Sequence, residues 1–297
     1  MAKVKYQDWN PQKKTMVMLE KLAEVIEDYK QRGFYPLSLR QIYYQAVARG
    51  FIPNSDNSYH SMTYNIKKAR EAGIFDWDDV EDRNRFLRTQ PHWNDPTEII
   101  QSAAVQYARD SRSTQPNYIE CWIEKDALIG VLEPVARKYD VPCFACKGFV
   151  SATANHETAA RFKAQAHRER RIIIYAGDYD PSGFGINTSI VDKQALYGNK
   201  VELIRIGLSK EQIRKYNPPP APVKMKDTRS MKFIETHGTQ VWELDALDPQ
   251  IIADLYAEQI EALTNFDLVH EEKRREAVEK SMLYSVYQNW HRVVANL

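Results

Sequence analysis

Cysteine is scarce in this 297-residue chain: three residues are too few for a disulfide framework, which points to a reducing, cytoplasmic setting. Long apolar runs are missing as well. No stretch approaches the roughly 18 uncharged apolar residues of a membrane span. The first ten residues carry Lys3, Lys5 and Asp8 and lack the apolar centre of a secretory signal. One-sided charge is absent too, with 41 Lys and Arg against 40 Asp and Glu, so bulk electrostatics neither demand nor exclude a nucleic-acid partner. There is no internal repeat, and the only low-complexity patch is Pro218-Pro219-Pro220-Ala221-Pro222. What is present is 43% hydrophobic and 27% charged residues at a mean hydropathy of -0.58, enough apolar side chains for a core and an argument against wholesale disorder.

Two seams divide the chain, the aperiodic TQPHWNDPT at Thr89 to Thr97 and the proline patch. Before the first, apolar residues at Met18, Leu19, Leu22, Val25 and Ile26 predict an amphipathic helix over 16–29. A second helix starts at Ser38, where Ser-Leu-Arg-Gln is a capping box, and stops near Gly50. A third runs from about Asn57 to Ala72, with Gly73 as its cap, and Ile74 to Trp77 reads as a short strand. Three helices and a strand or hairpin predict an α-rich winged helix-turn-helix domain over 1–90. Its 15 Lys and Arg against 12 Asp and Glu leave it mildly basic. Lys67, Lys68 and Arg70 lie where a recognition helix would meet phosphates. A linker and helix over 91–116 follow.

From 117 to 250 strands and helices alternate. Strands are predicted at 118–124, 141–145, 171–177 and 201–206, and helices at 127–139, 153–168 and 184–196. The run Ile172-Ile173-Ile174 marks a buried central strand. That order predicts an α/β domain with a mostly parallel sheet and helices on both faces. Residues 251–297 read as a helical tail.

Ligands in such folds bind beyond the carboxyl ends of the strands, and two strands end in acids. One ends at Glu124-Lys125, the other in Gly177-Asp178-Tyr179-Asp180-Pro181-Ser182-Gly183. In extended backbone Asp178 and Asp180 point the same way while Tyr179 turns aside. Asp180 also suits an N-cap, with Pro181 as the first helical residue. Oxygen donors without a companion His or Cys suit Mg²⁺ or Mn²⁺. The plainer reading, that Asp-Pro-Ser-Gly is a turn and Glu124 a helix-start charge, stands beside this one. Lys125 and Lys147 near the crevice are either phosphate contacts or solvated lysines. Cys143 and Cys146 match C-x-x-C but have no second pair and no nearby His, so buried structural cysteines are expected.

These motifs resemble a Toprim domain, with a glutamate after the first strand and Asp-x-Asp after a later one. The longer match is to the A subunit of topoisomerase VI and its relative, the meiotic double-strand-break transesterase. Lys147-Gly148-Phe149 between the motifs and Glu243-Leu244-Asp245-Ala246-Leu247 after them are similar to segments of that family. The family's winged-helix domain carries an arginine and, four residues later, the tyrosine that attacks DNA; Arg40-Gln41-Ile42-Tyr43-Tyr44 fits, with Tyr44 as nucleophile. Helical geometry agrees, since Arg40 and Tyr44 stack at i and i+4 while Tyr43 is rotated about 100° away. A phenol of pKa about 10 needs a neighbouring cation to favour its phenolate, and Arg40 is suitably placed. On the helix alone, both tyrosines also read as core aromatics.

The chain is short and has no Gly-rich ATP-binding module, so it most resembles the reduced "mini-A" relatives associated with mobile elements. The resemblance implies a homodimer acting on double-stranded DNA, with the tyrosine of one subunit serving the metal site of the other. It also implies Mg²⁺ at Glu124, Asp178 and Asp180, a 5′-phosphotyrosyl product, and a separate ATPase B-type subunit for any strand passage. Two alternatives keep parts of this pattern: a Toprim nuclease or nickase that uses water, and a DNA-binding protein with an inactive Toprim domain.

Overall fold

The computed structural model describes residues 3–34, 36–80, 90–223 and 229–294. The capping box at Ser38 is formed: its Oγ accepts from the Gln41 N–H at 3.2 Å, and the Gln41 side chain accepts from the Ser38 N–H at 2.8 Å. It starts helix α2 (Leu39–Ala48), which lies between α1 (Lys13–Gln31) and α3 (Asp56–Glu71). Each helix turns one apolar stripe inward. Leu19, Leu22, Val25 and Tyr29 of α1 meet Ile42 and Ala46 of α2 and Met62, Ile66 and Ala69 of α3 in one core.

The strand expected at Ile74 to Trp77 does not form. Asp76 caps a 3-10 turn over Trp77–Asp79, accepting from the Asp78 N–H at 3.1 Å and donating its own N–H to Asp79 Oδ2 at 2.7 Å. That closure takes the backbone groups a ladder would need, and only an isolated parallel bridge joins Val80 to Leu37. The rest of the expected wing, and Thr89 at the first seam, lie outside the described residues.

Asp95 caps α4 (Pro96–Gln106). The alternating region then runs β1 (Asn117–Ile123), α5 (Ile129–Lys138), β2 (Cys143–Ala145), α6 (Ala152–Ala164), β3 (Arg170–Ala176), α7 (Pro181–Leu196) and β4 (Glu202–Gly207). The four strands are all parallel, in the order β2-β1-β3-β4. Strand alternation divides the central side chains between two faces. Ile172, Ile174 and Ile119 pack on α5, and Ile173, Tyr175 and Trp122 face Phe162 of α6 and Ile186 and Ile190 of α7. The expectation of a mostly parallel sheet with helices on both faces is met.

After β4 come α8 (Lys210–Tyr216), β5 (Ala221–Pro222), α9 (Ser230–His237), β6 (Gln240–Val241), α10 (Pro249–Ala262), α11 (Phe266–Gln288) and α12 (Trp290–Val294). The proline patch is part of a small ladder, β5 pairing antiparallel with β6. The segment after 250 is no mere tail, because α10 covers the α5 face of the sheet with Ile252, Tyr256 and Ile260, and the Tyr256 hydroxyl donates to the Trp122 carbonyl at 2.5 Å. Helix α11 packs on α4, and Arg109, just beyond α4, reaches Glu272 and Glu279 of α11, each at 2.9 Å. Among the described residues, no helix is long and apolar enough to cross a membrane.

The Ser38 cap holds the helix that carries Arg40 and Tyr44. Ser38→Ala removes one hydrogen bond of the box and costs about 1 kcal/mol. A urea melt checks this, with the midpoint lowered and the m-value unchanged.

Candidate active site

The carboxyl ends of β1 and β3 are neighbours in the sheet, Ile123 standing opposite Ala176, so the residues that follow them are forced together. Glu124 and Asp178 are 8% and 7% exposed, and the Asp178 N–H donates to Glu124 Oε2 at 2.9 Å. Two glycines make room for this approach. A Cβ at Gly177 would stand 2.5 Å from Glu124 Oε2, and one at Gly183 would strike the Asp178 carbonyl oxygen. Beneath the turn, Arg205 of β4 donates to the carbonyls of Asp178 at 2.6 Å and Gly177 at 3.0 Å. Burial lowers its pKa.

Asp180 does not join the other two acids. Its Oδ1 accepts from the Gly183 N–H at 2.6 Å as the N-cap of α7, the local role also read from Asp-Pro-Ser-Gly. Tyr179 turns away, as alternation requires, into a cluster with Phe184, Phe233 and Trp242, and its hydroxyl meets His237 Nδ1 at 2.7 Å.

Glu243 and Asp245 were not among the candidate site residues, and both stand beside Asp178. They flank Leu244 just after β6, and the Leu244 N–H donates to Asp178 Oδ1 at 2.8 Å. The signal was the Glu-x-Asp spacing, which shows nothing of the hairpin that delivers it. Lys125 sits among these acids, its Nζ 3.1 Å from Asp178 Oδ2, 2.9 Å from Glu243 Oε2 and 2.8 Å from Asp245 Oδ1. Read from sequence as a phosphate contact, it is the internal counter-ion of the cluster.

From the helical unit, α2 adds Arg40 and Tyr44. Arg40 Nε meets Asp245 Oδ2 at 2.8 Å, its Nη2 meets Glu243 Oε2 at 2.9 Å, and its guanidinium lies 5.6 Å from the centre of the Tyr44 ring. The Tyr44 hydroxyl donates to Glu243 Oε2. Tyr43 turns into the core, where its oxygen accepts from the Ser55 N–H at 2.8 Å. A cleft of ≈ 590 Å³ opens beside Tyr44, between Tyr59 at the start of α3 and Pro219 to Pro222.

The other basic candidates are spread out. Lys67 is exposed and Lys68 half-buried, and both lie near Glu71. Arg70 is turned inward, donating to the Trp77 carbonyl at 2.6 Å and lying over the Trp77 ring, so it braces the 3-10 turn and is not free for phosphates. Lys147 adopts a left-handed conformation (φ 56°) beside Gly148, and its exposed ammonium is 3.3 Å from Asp126. The three cysteines are unpaired; Cys121 and Cys146 are buried, and burial raises both thiols.

Burial raises the pKa of Asp178 despite Lys125, and Glu124 and Asp245 raise it further. Burial also raises Glu124, with Asp180 adding to the effect against the Asp178 N–H bond. Glu243 goes the other way: burial would raise it, but Lys125, the Tyr44 hydroxyl and Arg40 bring it down to about 2. Burial first, then Asp245 and Glu243, push the Tyr44 phenol well above its usual range.

Glu124 and Asp178 present carboxylate oxygen in a glycine-walled cradle, the donor chemistry that a hard divalent cation takes. Among the described residues, no three His, Cys, Asp or Glu side chains stand grouped as a metal site. Glu124 and Asp178 are adjacent, whereas Asp180 is held on the Gly183 N–H.

No family model and no curated protein matches the chain.

The folded pKa of Asp178 lies above its unfolded value, so its contribution to stability is present at acid pH and is lost as pH rises through the folded pKa. Asn retains an acceptor for the Leu244 N–H without the charge. Asp178→Asn therefore stabilises the metal-free chain at neutral pH by about 1–3 kcal/mol. Urea denaturation in chelator measures it, and a loss of stability would mean that the Lys125 pair outweighs burial.

Proposed function

We propose that this chain is a type IIB topoisomerase-like DNA-cleaving enzyme, with Tyr44 as the nucleophile and Glu124, Asp178 and Asp180 as ligands of Mg²⁺ or Mn²⁺. The observation that carries this reading is the hydrogen bond from the Tyr44 hydroxyl to Glu243, 199 residues away in sequence, in a cluster that continues through Lys125 to Asp178. Support also comes from the three-helix unit, the parallel sheet with acids at two strand ends, and the adjoining cleft. On this reading the first is a winged-helix domain and the second a Toprim domain.

In the reaction, a phosphodiester enters the cleft and Arg40 supplies positive charge where the pentavalent phosphate forms. Glu243 orients the Tyr44 hydroxyl, and the phenolic proton is lost to water as the bond to phosphorus forms. The Tyr44 Oη–P bond forms, the P–O3′ bond breaks, and the departing 3′-oxygen takes a proton from water. A bound divalent cation supplies charge stabilisation for that oxygen. The reading includes double-stranded DNA as substrate, a homodimer for paired cuts, and a separate ATPase for strand passage. Lys67, Lys68 and Lys147 are the exposed or half-exposed cations available to phosphates.

One observation favours a second reading, a metal-dependent nuclease using water: Tyr44 is only 9% exposed and its phenol is pushed away from ionisation. Incubation with supercoiled plasmid and Mg²⁺, stopped with denaturant, separates the two. We expect protein attached to 5′ ends, falling about a thousandfold or more in Tyr44→Phe and in Asp178→Ala. Free ends that survive Tyr44→Phe but vanish in Asp178→Ala identify the water-using nuclease instead.

A further inference from the structure

At the other end of the sheet from the candidate active site, about 20 Å away along β1, lies a cleft of ≈ 360 Å³. It opens where β1, β2 and β3 begin, between the loop that precedes β1 and the turns after α5 and α6. Three arginines line it: Arg112 from the loop, Arg137 from the last turn of α5, and Arg168 after α6. Arg137 is exposed and pairs with Glu133 along its own helix. Arg112 is different, being only 7% exposed, and a charge so buried is ordinarily paired. Among the described residues its guanidinium meets no carboxylate. Its Nη1 donates to uncharged oxygens, Thr264 Oγ1 at 3.2 Å and the Tyr139 carbonyl at 3.4 Å, and its Nη2 is buried without a partner. Half-buried Arg168 is in a similar state, its Nε on Gln165 Oε1 at 3.1 Å and its Nη1 on the Gln115 carbonyl. Burial lowers the Arg112 pKa, and Arg168 adds to the effect against Cys121, Asp140 and Asp110.

The two acids of the cleft are already engaged. Asp140 Oδ2 accepts from the Ser111 N–H and from the Ser111 hydroxyl, each at 2.8 Å, and Asp110 Oδ1 accepts from the Arg112 N–H at 2.8 Å. One arginine is enough to serve the carbonyls at the end of α5. A second beside it, with no acid on either guanidinium, adds a repulsion that a bound anion removes.

We propose that this cleft binds a phosphate group, with the Arg168 fork on the phosphate oxygens, the Arg112 charge beneath them, and Tyr118 and Pro142 as the wall for the organic part of a nucleotide-sized compound. The site is separate from the function proposed above and does not depend on it. A free phosphorylated compound and the backbone of DNA offer the same chemistry.

The test is calorimetric titration of the full chain with inorganic phosphate, in chelator and with ionic strength held constant by chloride. Saturable binding is expected. Arg168→Gln weakens it about tenfold or more, and Arg168→Lys, which keeps the charge but loses the fork, falls between. Arg168→Lys also carries the test should Arg168→Gln fail to fold. Arg170→Gln is the control, because Arg170 pairs with Glu202 at 2.7 Å and does not line the cleft, so its loss leaves the affinity unchanged. The absence of saturable binding overturns the proposal. So does binding that both Arg168 variants leave unchanged, or that Arg170→Gln weakens equally, since either places the phosphate elsewhere or in a diffuse surface field. A nucleoside monophosphate that displaces phosphate and binds more tightly supports the site and assigns it to a free phosphorylated compound. Displacement by a short DNA duplex and not by the monophosphate supports the site and assigns it to the DNA backbone.

Discussion

The Lys125 ammonium, placed between Asp178, Glu243 and Asp245, is the contact on which the rest of the arrangement depends. Its side chain is 15% exposed, so removing it from water offsets much of the Coulomb attraction, and the net contribution to stability is modest. What the contact fixes is position. It joins the end of β1, the turn after β3 and the hairpin after β6, three segments distant in sequence. Without a cation there, the acids repel. Arg40 reaches the same acids from α2, and with Gln45 on the Leu247 carbonyl and Arg32 on Asp248 it seats the helical unit against the segment after β6.

The backbone prepares the site before any side chain acts. Parallel pairing of β1 with β3 puts Glu124 beside Asp178, and glycines at 177 and 183 let the turn fold tightly against the glutamate. Arg205 then binds the carbonyls of that turn, adding a second donor to that of Gly177, which the Leu208 N–H already meets at 2.8 Å, and donating to that of Asp178. The result is a dense patch of carboxylate in a buried crevice, held by one lysine and one arginine. Burial raises Glu124 and Asp178 despite Lys125 beside them, whereas at Glu243 Lys125, the Tyr44 hydroxyl and Arg40 together outweigh burial.

Much of the fold was legible because its signals are local. The 3–4 spacing from Met18 to Ile26, the Ser-Leu-Arg-Gln box and the Ile172-Ile173-Ile174 run each specify their element without help from distant residues. The strand at Ile74 was misread because hydrophobic Ile-Phe resembles an edge, while Asp76 and Asp79 form a capped turn. Helix α10 looked like part of a tail because its amphipathic pattern says that it covers something, but not what. The placement of Glu124 beside Asp178, and of Arg40 beside Tyr44, follows from strand-end position and helical spacing. The parts that depend on tertiary pairing were not legible: Asp180 kept as a cap, Lys125 turned inward, and Glu243 and Asp245 brought in by a hairpin of two-residue strands. Arg205 carries no sequence signal at all, being one cation in a strand.

The central claim is that Tyr44 is the atom donor to phosphorus, and peptide mapping of trapped protein–DNA complexes addresses it most directly. After nuclease and protease digestion, the account predicts a nucleotide remnant on the peptide that contains Tyr43 and Tyr44, with fragmentation assigning it to Tyr44. A remnant on any other residue, or cleaved DNA bearing free 5′-phosphates and no peptide, contradicts it.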